Sequence, residues 1–427
     1  MNVIKSKFVI FTLLSFFVYN KAVAAKQPPL ILLSIDGFSN EYLSKYAPKN
    51  ILSLAKAGVQ AEALLPVFPS KTFPNHLSIA TGMYPVNHGI VHNYFYHRGL
   101  KKHYRLGAAK QNSAWLTALP IWNIAEQQGV KTAIYFWPES EAQTTGGKPS
   151  YNFSYNKKTS NQTRVNKIID WLKLPSEKKP ALIVSYFSTV DHAGHFFGPS
   201  SVEVKQAVAD IDLLIGYLLT RLKNEIIDEV DIILVSDHGM MRSGIDNSID
   251  TNTLLTLPSN VTMVNGQTQL YFYSDNADAL LDVRSQLSAN NSLSDEAKNN
   301  KASPYKIYSK GQYPEHWHFN QKDNLSPFKQ NNTVPDLIVD ASPPYNFVTG
   351  NKYKSFATHG YDPLNHPQLD GIFIANGPSF NKKMHIAPFE NIHIFPLLIH
   401  LLSLNQPNKI DGNMNVLLPI LFENKEK

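Results

Sequence analysis

The chain has 427 residues, 43% hydrophobic and 17% charged, with a formal net charge of +6. That length is long for one domain and short for three, and the composition excludes a disordered chain while supplying a sizeable core. The lysines are scattered, so the basic balance reads as a solvated surface that attracts anions, and no stable nucleic-acid complex is expected.

Residues 1–25 read as a secretory signal peptide. Lys5 and Lys7 make a positive start, Phe8 to Tyr19 an apolar stretch, and AVAA supplies small residues for cleavage near Ala24 or Ala25. Residues 26–427 are then expected to form a secreted or periplasmic catalytic domain. No later run is apolar enough to span a membrane. The chain has no cysteine, so any metal site must use His, Asp, Glu and hydroxyls.

From residue 30 onward, short apolar runs alternate with helical patterns. The runs are LILLSID (30–36), KTAIYFW (131–137), ALIVSYFS (181–188), VDIILVSD (230–237), QLYFYS (269–274), DLIVDA (336–341) and GIFIANG (371–377). Continuous Ile, Leu and Val runs of this length suit strands buried on both faces. The helical patterns are 47–58, 119–129, 163–174 and 202–224. The alternation predicts an α/β fold with a mainly parallel sheet covered by helices. Residues 276–303 read as one helix and a polar loop, and 305–332 as an irregular excursion over the sheet edge. In such folds ligands bind beyond the carboxyl ends of the strands.

Those ends carry acids. Asp36 and Asp237 each close an apolar run, Asp191 follows another by three residues, and a glycine lies within three residues of each acid. One such Asp is usually a helix cap. Three on parallel strands converge on one edge, where they repel unless a cation joins them. Asp191 and His195 are one helical turn apart, and Asp237 and His238 serve one ion if they lie in a loop. His359 stands before a glycine near the C-terminus. Three Asp and three His suit the ligand chemistry of Zn²⁺ and would fill two sites, with Thr72 of SKTFPNH as an extra oxygen ligand. Pro74 and the pattern after it predict that Thr72 opens a helix, whose N-terminus would offer backbone donors to an anion.

The segments LLSIDGF, FPSKTFPNHLSIATGMYPVNHGIVHN, FWPESEA, STVDHAGHFFGP, VSDHGM, YPEHWHF and THGYDP span almost all of residues 26–427. In type and order they resemble the nucleotide pyrophosphatase/phosphodiesterase family of the alkaline phosphatase superfamily. The resemblance implies a three-layer α/β/α sandwich with a mainly parallel central sheet and two Zn²⁺ per chain. Asp191, His195 and His359 match the ligands of one zinc. Asp36, Thr72, Asp237 and His238 match those of the other, Thr72 the nucleophile, and Asn93 the residue that steadies a phosphate oxygen. Two departures stand out: Glu139 occupies a position where glycine is expected, and residues 332–339 lack an Arg-Ile-Gly.

The implied reaction is hydrolysis of nucleotide phosphodiester and pyrophosphate bonds to nucleoside 5′-monophosphates through a threonyl-phosphoryl intermediate. The four positive charges of two Zn²⁺ balance three aspartates and an ionised Thr72, which suits a diester better than a monoester dianion. Around Thr72, Asp191 and Asp237 the only arginine is Arg242. Phe73 is expected at the mouth of the site. Tyr155, nine positions before Arg164, resembles the family tyrosine that stacks on the base, so the two rings would sandwich a nucleobase. The alternatives are a lysophospholipid or choline phosphodiesterase with the same metals, a superfamily phosphomonoesterase or phosphonate hydrolase, and a non-catalytic secreted binding protein.

Overall fold

The structure, a computed structural model, describes residues 27–292, 303–320, 332–350 and 355–422. The expected signal peptide lies outside the described residues.

The strands are β1 (Leu30–Ile35), β2 (Val59–Ala61), β3 (Thr132–Tyr135), β4 (Tyr151–Phe153), β5 (Leu182–Phe187), β6 (Asp231–Val235), β7 (Thr262–Asn265), β8 (Gln269–Tyr273), β9 (Tyr305–Ser309), β10 (Leu337–Ala341), β11 (Phe373–Asn376) and β12 (Met384–Ile386), with further two- and three-residue pairs. Eight of these form the central sheet in the order β12-β2-β11-β6-β1-β5-β3-β4. β11 runs antiparallel to both its neighbours, and the other pairings in this sheet are parallel. Leu30 of β1 lies opposite both Leu182 and Asp231, so β1, β5 and β6 are in step and end together at one edge.

Strand periodicity divides the core. Ile31, Leu33 and Ile35 face one side, where they meet Ile51 and Leu54 of α1 (Lys49–Ala57). Leu30 and Leu32 face the other side, with Ile79 of α2 (Thr72–Thr81), Trp122 of α3 (Ile121–Gln127) and a helix at Ile394–Leu401. The first face is completed by α4 (Asn161–Leu172) and, after α5 (Thr189–Phe197), by α6 (Val202–Glu225). Ser160 caps α4 by accepting from Thr163 N, and Ser201 caps α6 by accepting from Val204 N. Each fully buried Leu or Ile contributes about 1.5–3 kcal/mol, so two covered faces hold the sheet firmly. The three layers are those of the alkaline-phosphatase-like sandwich.

Two expected strands belong elsewhere. Residues 269–273 and 337–341 lie in a separate antiparallel sheet, ordered β7-β8-β10-β9. One of its faces packs Leu270, Phe272 and Val339 against Val283 and Leu287 of the helix Ala277–Ser292. The other presents Tyr271, Tyr273 and Ile338 to the segment that follows Thr72. Burial on both faces gives these strands the unbroken apolar run of a parallel strand, so the pattern could not separate the two cases. Within the expected excursion, β9 pairs with β10, and Tyr313, Trp317 and Phe319 are buried; residues 321–331 lie outside the described residues. Among the described residues no helix is long and apolar enough to cross a membrane.

Candidate active site

Asp36 is the first residue after β1, and Asp237 follows β6 by two. Gly37 turns the chain with φ +68°, and a Cβ there would sit 2.7 Å from the Asp191 Cα, so only glycine lets the two segments meet. Asp191 and His195 stand on α5, one turn apart, with His195 Nε2 3.3 Å from Asp191 Oδ1. His359, just after the short strand Ala357–Thr358, brings its Nε2 to 3.6 Å from the same oxygen. In a second group, His238 Nε2 lies 3.5 Å from Asp36 Oδ1, 3.0 Å from Asp237 Oδ2 and 3.2 Å from Thr72 Oγ1. The His238 and His359 rings stack at 3.6 Å, so the two groups adjoin. The six expected Asp and His residues thus form two clusters, each with ligand atoms within 4.8 Å of one another.

The donor set fits metal ions. Nδ1 of His195 donates to Ala357 O, that of His238 to Gly239 O, and that of His359 to Ser70 O. Each Nε2 is left with its lone pair toward the carboxylates, the arrangement of metal-binding imidazoles. Asp36 Oδ1, Asp191 Oδ1 and Asp237 Oδ2 are buried and accept no hydrogen bond. Such atoms are costly unless something else satisfies them.

The titration behaviour shows the same crowding. Burial, with the charges of Asp237 and Asp191, pushes Asp36 well above the usual carboxylate range. Burial also opposes ionisation of Asp191 and Asp237, but His195 beside the first and His238 and His76 beside the second hold them low. Burial and the neighbouring His238, Lys71 and His195 keep His359 neutral, as a ligand must be.

Thr72 is the first residue of α2. Of the backbone donors expected at this helix N-terminus, Pro74 has no N–H and the Phe73 N–H donates to Asn93 Oδ1 at 3.0 Å. That bond fixes the Asn93 amide. Two neighbours were not foreseen. His76 joins Ser34 Oγ and the Thr72 carbonyl, both at 2.8 Å, and lies 3.3 Å from Asp237. Lys71 is buried; burial lowers it to about 7, with Asp191 pulling the other way. It was visible in SKTFPNH, yet the count of nearby charges overlooked it. Arg242 is exposed and does not line the cleft described below.

Residues 30–362 match the family Type I phosphodiesterase / nucleotide pyrophosphatase. The chain belongs to this family, hydrolases of phosphodiester and diphosphate bonds. It is 32% identical to an uncharacterized pyrophosphatase/phosphodiesterase of Schizosaccharomyces pombe, covering 94% of this chain and 82% of the relative. It is 34% identical to venom phosphodiesterase of Naja atra and 33% to bovine ectonucleotide pyrophosphatase/phosphodiesterase family member 3, spanning 47% and 44% of those longer proteins and 93% and 92% of itself. Murine ectonucleotide pyrophosphatase/phosphodiesterase 5, solved as an inactive threonine-to-alanine variant in complex with AMP, superposes with a TM-score of 0.81 at 25% identity, covering 93% of this chain and all of that one.

In this family member Asp36, Thr72, Asp191, His195 and His359 form the floor of a cleft of about 930 Å³, and His238 and Asp237 adjoin it through Asp36 and Thr72. Phe73 and Tyr155 both line it, as do Asn93, Leu106, Phe136 and Tyr186. Phe73 is buried, while Tyr155 is 42% exposed. The Tyr155 ring lies 4.6 Å from Phe136 and 6.2 Å from Tyr186, over the Arg164 guanidinium at 5.8 Å. Arg164 is itself held by the Tyr186 carbonyl, and the Tyr186 hydroxyl donates to Asp36. The aromatic wall is thus tied to the floor. Phe136 and Tyr186 carried no sequence signal beyond their place in FWPESEA and in β5.

Proposed function

We propose that the protein is a secreted or periplasmic two-zinc phosphodiesterase, with residues 26–427 as its catalytic unit, that hydrolyses nucleotide phosphodiester and pyrophosphate bonds to nucleoside 5′-monophosphates. The observation that carries this reading is the convergence on Thr72: three imidazoles with Nδ1 tied to carbonyls and Nε2 turned inward, beside three carboxylate oxygens that lack hydrogen bonds. Asp191, His195 and His359 would hold one zinc, and Asp36, Thr72, Asp237 and His238 the other. When bound, the ions supply positive charge that favours an ionised hydroxyl and neutralises phosphate.

The protein's own groups do the rest. Thr72 gives up its proton to solvent, and Oγ1 forms a bond to phosphorus as the bond to the leaving oxygen breaks, giving a threonyl-phosphoryl intermediate. Asn93 donates from its amide to a non-bridging oxygen. Water then attacks phosphorus, the bond to Thr72 breaks, and Oγ1 regains a proton. His76 holds the Thr72 carbonyl and so keeps the nucleophile on the first turn of α2. The aromatic wall supports a nucleoside substrate, and the AMP held by the murine neighbour is in keeping with it.

Acid quenching during turnover of a nucleotide diester, followed by peptide mapping, is the test. A nucleotidyl adduct on the peptide containing Thr72 is expected. Inversion of a chiral phosphodiester in ¹⁸O-water would rule out the double displacement.

A further inference from the structure

Glu139 holds a glycine-like backbone, with φ +60°. Residues other than glycine hold that conformation only where their surroundings over-determine it. Here the surroundings are three donors. The Glu139 carboxylate is 4% exposed and accepts the Tyr104 hydroxyl, the Gly107 N–H at 3.1 Å and the Ala109 N–H at 3.1 Å. Burial raises it to about 7 despite these donors, so the group is charged-capable in a site that resists charge. A carboxylate kept there has a task that glycine lacks.

The task is visible in what it ties. Leu106 and Gly107, inside the bonded segment, line the cleft, and Leu106 keeps 45% of its surface exposed there. The Tyr104 ring stands edge-on to Phe73, 6.5 Å away. Glu139 itself sits in the turn closed by Ser140 N to Trp137 O, and Phe136 and Pro138 of this segment line the same cleft, Phe136 beside Tyr155. One carboxylate therefore joins two chain segments that both line the cleft.

We infer that Glu139 is a positioning residue that fixes the separation between Phe73 with Leu106 and Phe136 with Tyr155, and thereby selects diesters that carry a planar base. This rests on the nucleotide reading above and adds to it the residue that sets the width of the base site. The Glu139 carboxylate bonds to Tyr104, Gly107 and Ala109 and does not itself line the cleft, so it acts on binding and not on the chemical step.

The test compares p-nitrophenyl thymidine 5′-phosphate with bis(p-nitrophenyl) phosphate. Glu139→Gly suits the backbone but loses the tie, and Tyr104→Phe keeps the ring but loses the hydroxyl. Glu139→Gly is expected to raise KM for the nucleotide ester about tenfold, and Tyr104→Phe about threefold, with kcat and the bis(p-nitrophenyl) phosphate constants held within about twofold. Equal changes for both substrates, or none for either, would overturn the inference while leaving the nucleotide reading intact. A wild-type enzyme that binds the two diesters alike would remove the nucleotide reading and this inference with it.

Discussion

The floor and the wall of the cleft are built on different principles. The floor sits at the ends of strands that are buried on both faces, and its imidazoles are locked by backbone carbonyls. The wall gathers Phe73 from α2 and Tyr186 from β5 with Leu106, Phe136 and Tyr155 from separate loops, joined by ring contacts and by one buried carboxylate, with Tyr155 and Leu106 half-exposed. The difference teaches where chemistry and selectivity reside. A metal site tolerates little displacement, so it belongs on the rigid sheet edge. A base site need only offer rings at the right spacing, which loops can vary without disturbing the floor.

Damage to the floor should stop turnover. Thr72→Ala is expected to lower kcat at least ~10³-fold while leaving substrate binding measurable, and Thr72→Ser to keep part of the rate. Steady-state kinetics and equilibrium binding check both, and an alanine variant within tenfold of wild type would remove Thr72 as nucleophile. The balance of charge on the floor makes a sharper claim. A p-nitrophenyl nucleotide diester should far outpace p-nitrophenyl phosphate in kcat/KM, and equal or reversed values would contradict it.

The floor was legible in the sequence for physical reasons. An acid ending an apolar run, followed by glycine, marks a strand end where the backbone turns, and Asp36 and Asp237 both fit. The four-residue step from Asp191 to His195 is one helical turn, and both residues are on α5. The wall was only half legible. Phe73 was readable because it follows Thr72, and Tyr155 through its spacing to Arg164. Phe136 and Leu106 reach the cleft only through the way loops fold back, and Tyr186 of β5 through its place near the strand's end. The second sheet was misread because β8 and β10 are buried on both faces, and periodicity cannot tell such a strand from a parallel one.

Damage to the wall should be milder. Phe73→Ala and Tyr155→Ala are each expected to raise KM for nucleotide diesters by roughly 5- to 100-fold, since stacking is worth about 1–3 kcal/mol per base. Bis(p-nitrophenyl) phosphate should be affected much less. Loss of kcat on both substrates would show that the two rings support the floor instead.

The second sheet, outside both, should show an effect on stability and none on turnover. Burial raises Asp340 of β10 to about 8, although it accepts from the Gln269 amide at 2.7 Å. Its folded pKa lies above its unfolded one, so its contribution to stability is complete below about pH 4 and is lost as pH rises to about 8. Asp340→Asn keeps an oxygen for Gln269. Thermal melts should match wild type near pH 4 and lie above it at pH 8; no difference at pH 8 would contradict the burial argument.

The central claim, that the two Asp and His clusters hold a pair of ions around Thr72, is tested most directly by elemental analysis of the purified protein alongside activity in chelator. Two zinc ions per chain are expected, with activity lost on chelation and restored by zinc, and with Asp191→Ala and His359→Ala each losing metal and most activity. Protein free of divalent transition metal and fully active in chelator would contradict the account.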